Sequence, residues 1–119
     1  MEERKKDLRL RTKQFALRVI ALSTSLPNDL ESQIMRRQVV RSGTSVGAQY
    51  REACRARSGA EFISKMQSAL QELDETGYWF ELLADSRRVP ALQLADLLGE
   101  ANELTAIFVA SIKTAGGGA

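Results

Sequence analysis

Only two prolines, Pro27 and Pro90, interrupt this sequence of 119 residues. Because proline lacks a backbone N–H and clashes with the preceding helical turn, their scarcity leaves room for long helices. A further break lies at Ser58, which precedes Glu61 with the spacing of a helix-capping box. These breaks predict four helices and a flexible glycine-rich tail. The helices are predicted at about residues 3–25, 29–56, 59–86 and 91–113, and the tail at residues 115–119.

Apolar residues recur every three or four positions in each predicted helix, which is the period of a single helix face. The predicted buried faces consist of Leu8, Phe15, Val19, Leu22 and Leu26; of Met35, Val39, Gly43, Val46, Tyr50, Ala53 and Cys54; of Phe62, Met66, Ala69, Leu73, Phe80 and Ala84; and of Leu94, Leu98, Ala101, Leu104 and Phe108. Short connections between helices of this length predict an all-α, antiparallel up-and-down four-helix bundle over residues 1–114.

Histidine is absent and Cys54 is the single cysteine. Catalytic triads that use histidine, histidine-ligated metals and an internal disulfide are therefore excluded. No apolar run approaches the roughly 20 residues that cross a bilayer, and the first residues lack the apolar stretch of a signal peptide. We accordingly expect a non-enzymatic, cytoplasmic protein that uses no cofactor or metal and does not bind membranes.

The charge distribution is strongly uneven. Residues 1–57 contain 13 lysines and arginines but only 6 acidic residues, whereas residues 58–119 contain 4 and 9. On a helical wheel, four arginines of the second helix fall within ~40° of their common mean direction, which points away from the apolar face. A second basic row recurs every seven residues on the first helix. The two rows are Arg37, Arg41, Arg51 and Arg55, and Arg4, Arg11 and Arg18.

Two uses of these arginines are open. Guanidinium groups are well suited to nucleic-acid phosphates, and the contacts would be largely independent of sequence. Alternatively, acidic residues of a neighbouring helix or subunit pair with them. The candidates for that role are Glu72, Glu75, Glu81 and Asp85.

Several helices carry more apolar surface than one core can use. Leu10, Leu17 and Ala21 lie on a different side of the first helix from its main stripe. An aromatic cluster on the third helix also lies outside its main stripe, and aromatic residues are enriched at subunit interfaces. This cluster predicts a homo-oligomer interface formed by Tyr78, Trp79, Leu82 and Leu83.

Four segments carry a resemblance to a known family. They are RSGTSVGAQYREA at residues 41–53, RARS at residues 55–58, EFISKM at residues 61–66 and ELDETGYWFELL at residues 72–83. The chain resembles, from about Phe15 to Ile112, the bacterial four-helix-bundle proteins encoded by 23S rRNA intervening sequences. That family is similar to the accessory variability determinant of diversity-generating retroelements. Gln49 departs from the family pattern, which usually has asparagine there.

The resemblance implies a homopentamer arranged as a ring or barrel, and it transfers no catalytic residue. For the retroelement relatives it implies RNA or DNA binding and contact with a reverse transcriptase. Together with the basic stripe, it leads us to expect a homo-oligomeric bundle that binds nucleic acid, in particular RNA, through phosphate contacts. The alternative is a structural or adaptor protein that acts through protein–protein contacts, with the basic stripe forming ion pairs between subunits.

Overall fold

The computed structural model describes the backbone of residues 2–117 and the side chains of residues 7–117. It contains four α-helices and, over this part of the chain, no strand, so the all-α prediction is confirmed. The helices are α1 (Glu2–Thr24), α2 (Leu30–Cys54), α3 (Gly59–Asp85) and α4 (Ala91–Ala115). Each helix end lies within two residues of its predicted position. Of the predicted tail, residues 118 and 119 lie outside the described residues.

The helices pack side by side in a rod of 46 × 22 × 22 Å. Because each helix is nearly as long as the rod and the loops are short, consecutive helices run antiparallel. α2 packs against α1 and α3, α3 also packs against α4, and α1 meets α4 along a shorter line of contact. None of the described helices is long and apolar enough to cross a membrane.

Polar contacts define the start of α3 and the loops at the opposite end of the rod. The Ser58 hydroxyl accepts a hydrogen bond from the Glu61 amide at 3.1 Å, as the capping pattern predicts. The Arg36 guanidinium donates to the carbonyl oxygens of Ser23, Leu26 and Pro27, which fixes the connection between α1 and α2. Arg88 donates to Asp29 and Ser32, and it thereby joins the loop before α4 to the start of α2.

The predicted apolar faces form most of the core. All five residues of the α1 stripe are buried, and Thr12 is buried among them. On α2 the whole predicted face is buried except Cys54, which is half-buried. Phe62, Ala84 and Leu98 are only half-buried, whereas Thr76, Leu83 and Leu97, which lie outside the predicted stripes, are buried.

Leu83 corrects one interface prediction. Its side chain is 0% exposed, so it is a core residue of its own chain and is not available to another subunit. The reason is that α3 packs against both α2 and α4, which widens its buried face beyond a single narrow stripe. Leu83 follows Phe80 by three residues and therefore lies on the same broad inner face.

Two glycines set the close contact between α1 and α2. A Cβ atom added at Gly43 would lie 2.9 Å from both γ-carbons of Val19, and one added at Gly47 would lie 3.0 Å from the Thr12 hydroxyl oxygen. These positions have no room for a side chain. The two glycines therefore allow α1 to approach α2 more closely than alanine would permit.

Candidate nucleic-acid interface

Arg41 is neutralised within its own chain. Its guanidinium lies 3.4 Å from the Glu72 carboxylate on α3 and also contacts the Glu75 carboxylate. Glu75 in turn accepts a hydrogen bond from the Trp79 indole N–H at 3.0 Å. The predicted partners Glu72 and Glu75 thus pair with the stripe, but they do so between neighbouring helices of one chain.

Arg11 is neutralised in a similar way. Its guanidinium donates two hydrogen bonds to the Glu100 carboxylate on α4, at 2.6 and 3.1 Å, and lies 3.7 Å from Glu103. This pairing raises the pKa of Arg11 above its ordinary value. The basic row of α1 therefore faces α4 at Arg11, where an ion pair joins these two helices of the bundle.

Four of the other predicted arginines have no such partner among the described side chains. Arg18, Arg37, Arg51 and Arg55 are exposed, and none makes an ion pair or side-chain hydrogen bond with the side chains described at residues 7–117. The side chain of Arg4, the remaining predicted residue, lies outside the described residues.

Arg51 and Arg55 lie in a surface groove of about 570 Å³ between α1 and α2. The lining residues on α1 are Thr12, Lys13 and Ala16; those on α2 are Thr44, Gly47, Ala48, Arg51 and Glu52, and Arg55 follows the end of α2. The groove exists because the positions between the charged residues carry small side chains. Three of the lining residues are cations, and the single acid, Glu52, is paired with Lys65 on α3 at 3.0 Å. We call this feature the α1–α2 groove.

Lys13 is not among the residues predicted from the sequence. The seven-residue spacing of Arg4, Arg11 and Arg18 points instead to the side of α1 that meets α4. Lys13 follows Thr12, which contacts α2, by about 100° around the helix. Lys13 is identified by its position next to Thr12, the residue that packs against Gly47 in the structure.

Arg9 adds a further cation one helical turn before Lys13. It is half-buried, and its Nε atom is enclosed without a hydrogen-bond partner in the described part of the chain. Cations of α1 and α2 therefore outnumber acids along the groove, and an anion is the complementary ligand. No group of three or more potential metal-ligating side chains is found among the described residues.

The Arg41–Glu75–Trp79 cluster leads to a pH prediction. Hydrogen bonds from Arg41 and then from Trp79 lower the pKa of the Glu75 carboxyl below its ordinary value. A lowered carboxyl pKa stabilises the fold above the ordinary value, and this contribution is lost as the pH falls through the pKa of the folded state. Trp79 is the only tryptophan, so we expect its fluorescence to stay constant near pH 7 and to change below about pH 4.

Glu75→Gln provides the control for this titration. Glutamine keeps the shape and an acceptor oxygen for the indole, but it does not titrate. We expect the acid step in the fluorescence of Trp79 to disappear in this variant while the chain remains folded by circular dichroism. The same acid step in the variant would assign the transition to another carboxyl group.

Large apolar side chains are exposed on more than one helix. Tyr78, one of the predicted interface residues, is 55% exposed, whereas Trp79 and Leu82 are half-buried against the core. Leu10 and Leu17 on the outer side of α1 are each 54% exposed and are seven residues apart. Among the described residues, exposed large apolar side chains occur on all four helices; α1 carries three of them, with Ile20 the third, and α3 carries only Tyr78.

The chain is similar to a known family and to solved structures. The family model described as 23S rRNA-intervening sequence protein matches residues 4–110. A crystal structure of a protein of unknown function from the S23 ribosomal protein family of Bacteroides thetaiotaomicron is 36% identical to this chain. The match covers 89% of this chain and 98% of the other, with a TM-score of 0.84. No curated protein sequence matches significantly.

Proposed function

We propose that this chain, which belongs to the 23S rRNA-intervening sequence protein family, binds nucleic acid, in particular RNA, through phosphate contacts on its α1–α2 surface. The family assignment confirms the resemblance found in the sequence. The observation that carries the proposal is a set of cations in the α1–α2 groove that have no ion-pair partner among the side chains of residues 7–117, namely Lys13, Arg51 and Arg55. The role proposed is binding, without catalysis.

The charge pattern supports a polyanion over a single carboxylate ligand. Arg37 continues the exposed basic surface of α2 beyond the groove, about 21 Å from Arg51 along the helix axis. A phosphate backbone spans such a distance, and its neutralisation releases condensed counterions, which favours binding at low salt. Contacts of this kind fix the position of the nucleic acid and carry little sequence preference.

The proposal is tested by the salt dependence of RNA binding. Fluorescence anisotropy with a labelled structured RNA is expected to give saturable binding at about 50 mM salt. With three phosphate contacts, the affinity should fall about 40-fold between about 50 and 200 mM salt. An absence of binding at low salt, or binding that does not depend on salt, would contradict the proposal.

The alternative, in which the stripe joins subunits, receives little support from Arg41. Its two carboxylate partners belong to the same chain, so its charge is already satisfied in the monomer. Arg51 and Arg55 remain available for a phosphate or for a carboxylate of another subunit. Charge reversal at these two positions distinguishes phosphate binding from subunit pairing. Only the adaptor role, in which the arginines pair with another subunit, requires the native mass of the assembly to decrease.

We also propose that the protein is a homo-oligomer, as the resemblance to a pentameric family implies. Leu10 and Leu17 form an exposed apolar strip on α1, and such exposed patches are typical of interaction surfaces. Light scattering of the unaltered protein is expected to give a multiple of 13.2 kDa, and Leu10→Glu with Leu17→Glu is expected to give the monomer.

Gln93→Glu is the control for this pair, because Gln93 is exposed on α4 and lies outside the α1 strip. It adds a charge without removing apolar surface, and we expect the oligomer to persist. Tyr78→Glu tests the predicted α3 surface separately. A monomeric mass for the unaltered protein at micromolar concentration would overturn the proposal of self-association.

A further inference from the structure

We infer that the α1–α2 groove receives one nucleotide of a single strand, with the sugar and base against its floor and the phosphates at its basic rim. This inference rests on the proposed function and adds the class of nucleic acid. It means that the protein prefers single-stranded RNA, including unpaired loops, to duplex RNA.

The floor of the groove is formed by small residues. Ala16 on α1 and Ala48 on α2 line the groove with methyl groups, and Gly47 lines it where α1 and α2 pack closely. The two hydroxyl groups of the lining are already used as donors. Thr12 donates to the Leu8 carbonyl and Thr44 to the Val40 carbonyl, each at 2.7 Å. The floor therefore offers apolar surface and no free hydroxyl donor to a phosphate.

The rim has the opposite character. Arg51 lies in the last turn of α2, Arg55 follows the end of that helix, and Lys13 lies on the α1 side. Glu52 contributes little repulsion to an anion because Lys65 neutralises it. A ligand with both an apolar part and charged phosphates matches this division, and inorganic phosphate alone uses only the rim.

The geometry selects among nucleic acids. A duplex keeps its bases stacked inside and presents sugar and phosphate groups to a protein, whereas a single strand can turn its bases outward. The groove volume of about 570 Å³ falls in the range of small-ligand sites.

No aromatic side chain lines the groove. Aromatic stacking is the main source of strong base binding in proteins that bind single strands. The preference is therefore expected to be moderate, about tenfold in affinity, and tolerant of base identity.

The test places larger side chains on the floor of the groove and leaves the charged residues of its rim unchanged. Ala16→Leu with Ala48→Leu occupies the space of the groove while Lys13, Arg51 and Arg55 remain. Ala48→Leu alone is the second variant, because Ala48 is exposed and its replacement does not disturb the core. The matched control is Ala60→Leu with Ala95→Leu, two exposed positions outside the groove. The probes are a single-stranded oligouridylate and an RNA duplex with the same number of nucleotides, at one salt concentration.

We expect the unaltered protein and the control to bind the single strand about tenfold more tightly than the duplex. The filled variants should bind the duplex normally and lose this preference. Equal binding of both probes by the unaltered protein, or an equal loss for both probes on filling, would overturn the inference and leave the proposed function intact. If the unaltered protein binds neither probe, the proposed function fails as well.

Discussion

Charge reversal at Arg51 and Arg55 together is expected to lower the affinity for RNA at least about a hundredfold at low salt. Both side chains are exposed and unpaired in the described structure, so their replacement removes two phosphate contacts without breaking an internal ion pair. Two glutamates at these positions would also repel the phosphates. The slope of log affinity against log salt should become shallower by about two.

Arg87→Glu with Lys113→Glu is the matched control. Both residues are exposed and lie outside the groove lining, and the pair changes the net charge by the same amount. Its effect on affinity should be only severalfold, because distant charges are largely screened. A loss as large as that of the groove variant would show that total charge alone determines binding. Light scattering of both variants tests whether the oligomer is retained.

Gly43→Ala is expected to lower the free energy of unfolding by about 1–2 kcal/mol. The new Cβ would lie 2.9 Å from Val19, which is fully buried and has a branched, stiff side chain. Overpacking of this kind costs about 1–3 kcal/mol, and the better helix propensity of alanine offsets up to about 1 kcal/mol. Urea denaturation followed by circular dichroism measures the change.

The same substitution at Gly99 should have the opposite sign. Gly99 lies within α4, and a Cβ atom added there would meet no heavy atom of another part of the described structure within 4 Å. Only the helix propensity changes there, so we expect Gly99→Ala to stabilise the fold by about 0.5–1 kcal/mol. Equal effects at Gly43 and Gly99 would mean that α1 can move away from α2 at little cost.

The fold was largely predictable because the signals for each helix are local. Proline positions, the Ser58 cap and the recurrence of apolar residues depend on nearby sequence, and they located the helices. Leu83 shows where such reasoning ends. The width of a buried face depends on how many helices pack against it, and the period of one helix does not contain that information.

The candidate site was predictable only in part. Arg51 and Arg55 follow from the wheel of α2, because they lie opposite its apolar face. Lys13 depends on the rotation of α1 against α2, which is set by the contact between Thr12 and Gly47. The pairing of Arg41 with Glu72 and Glu75 depends on the register between α2 and α3. Relations between helices are tertiary properties, and a helical wheel describes one helix at a time.

The unpaired cations of the groove also have a thermodynamic consequence. Lys13 belongs to one helix and Arg51 and Arg55 to another, so their mutual repulsion opposes the packing of α1 on α2 in the free protein. A bound polyanion removes this repulsion and holds both helices at once, an arrangement that the unfolded chain does not offer. Under the proposed function, binding and folding are thereby linked: a polyanion that binds only the folded groove stabilises the fold.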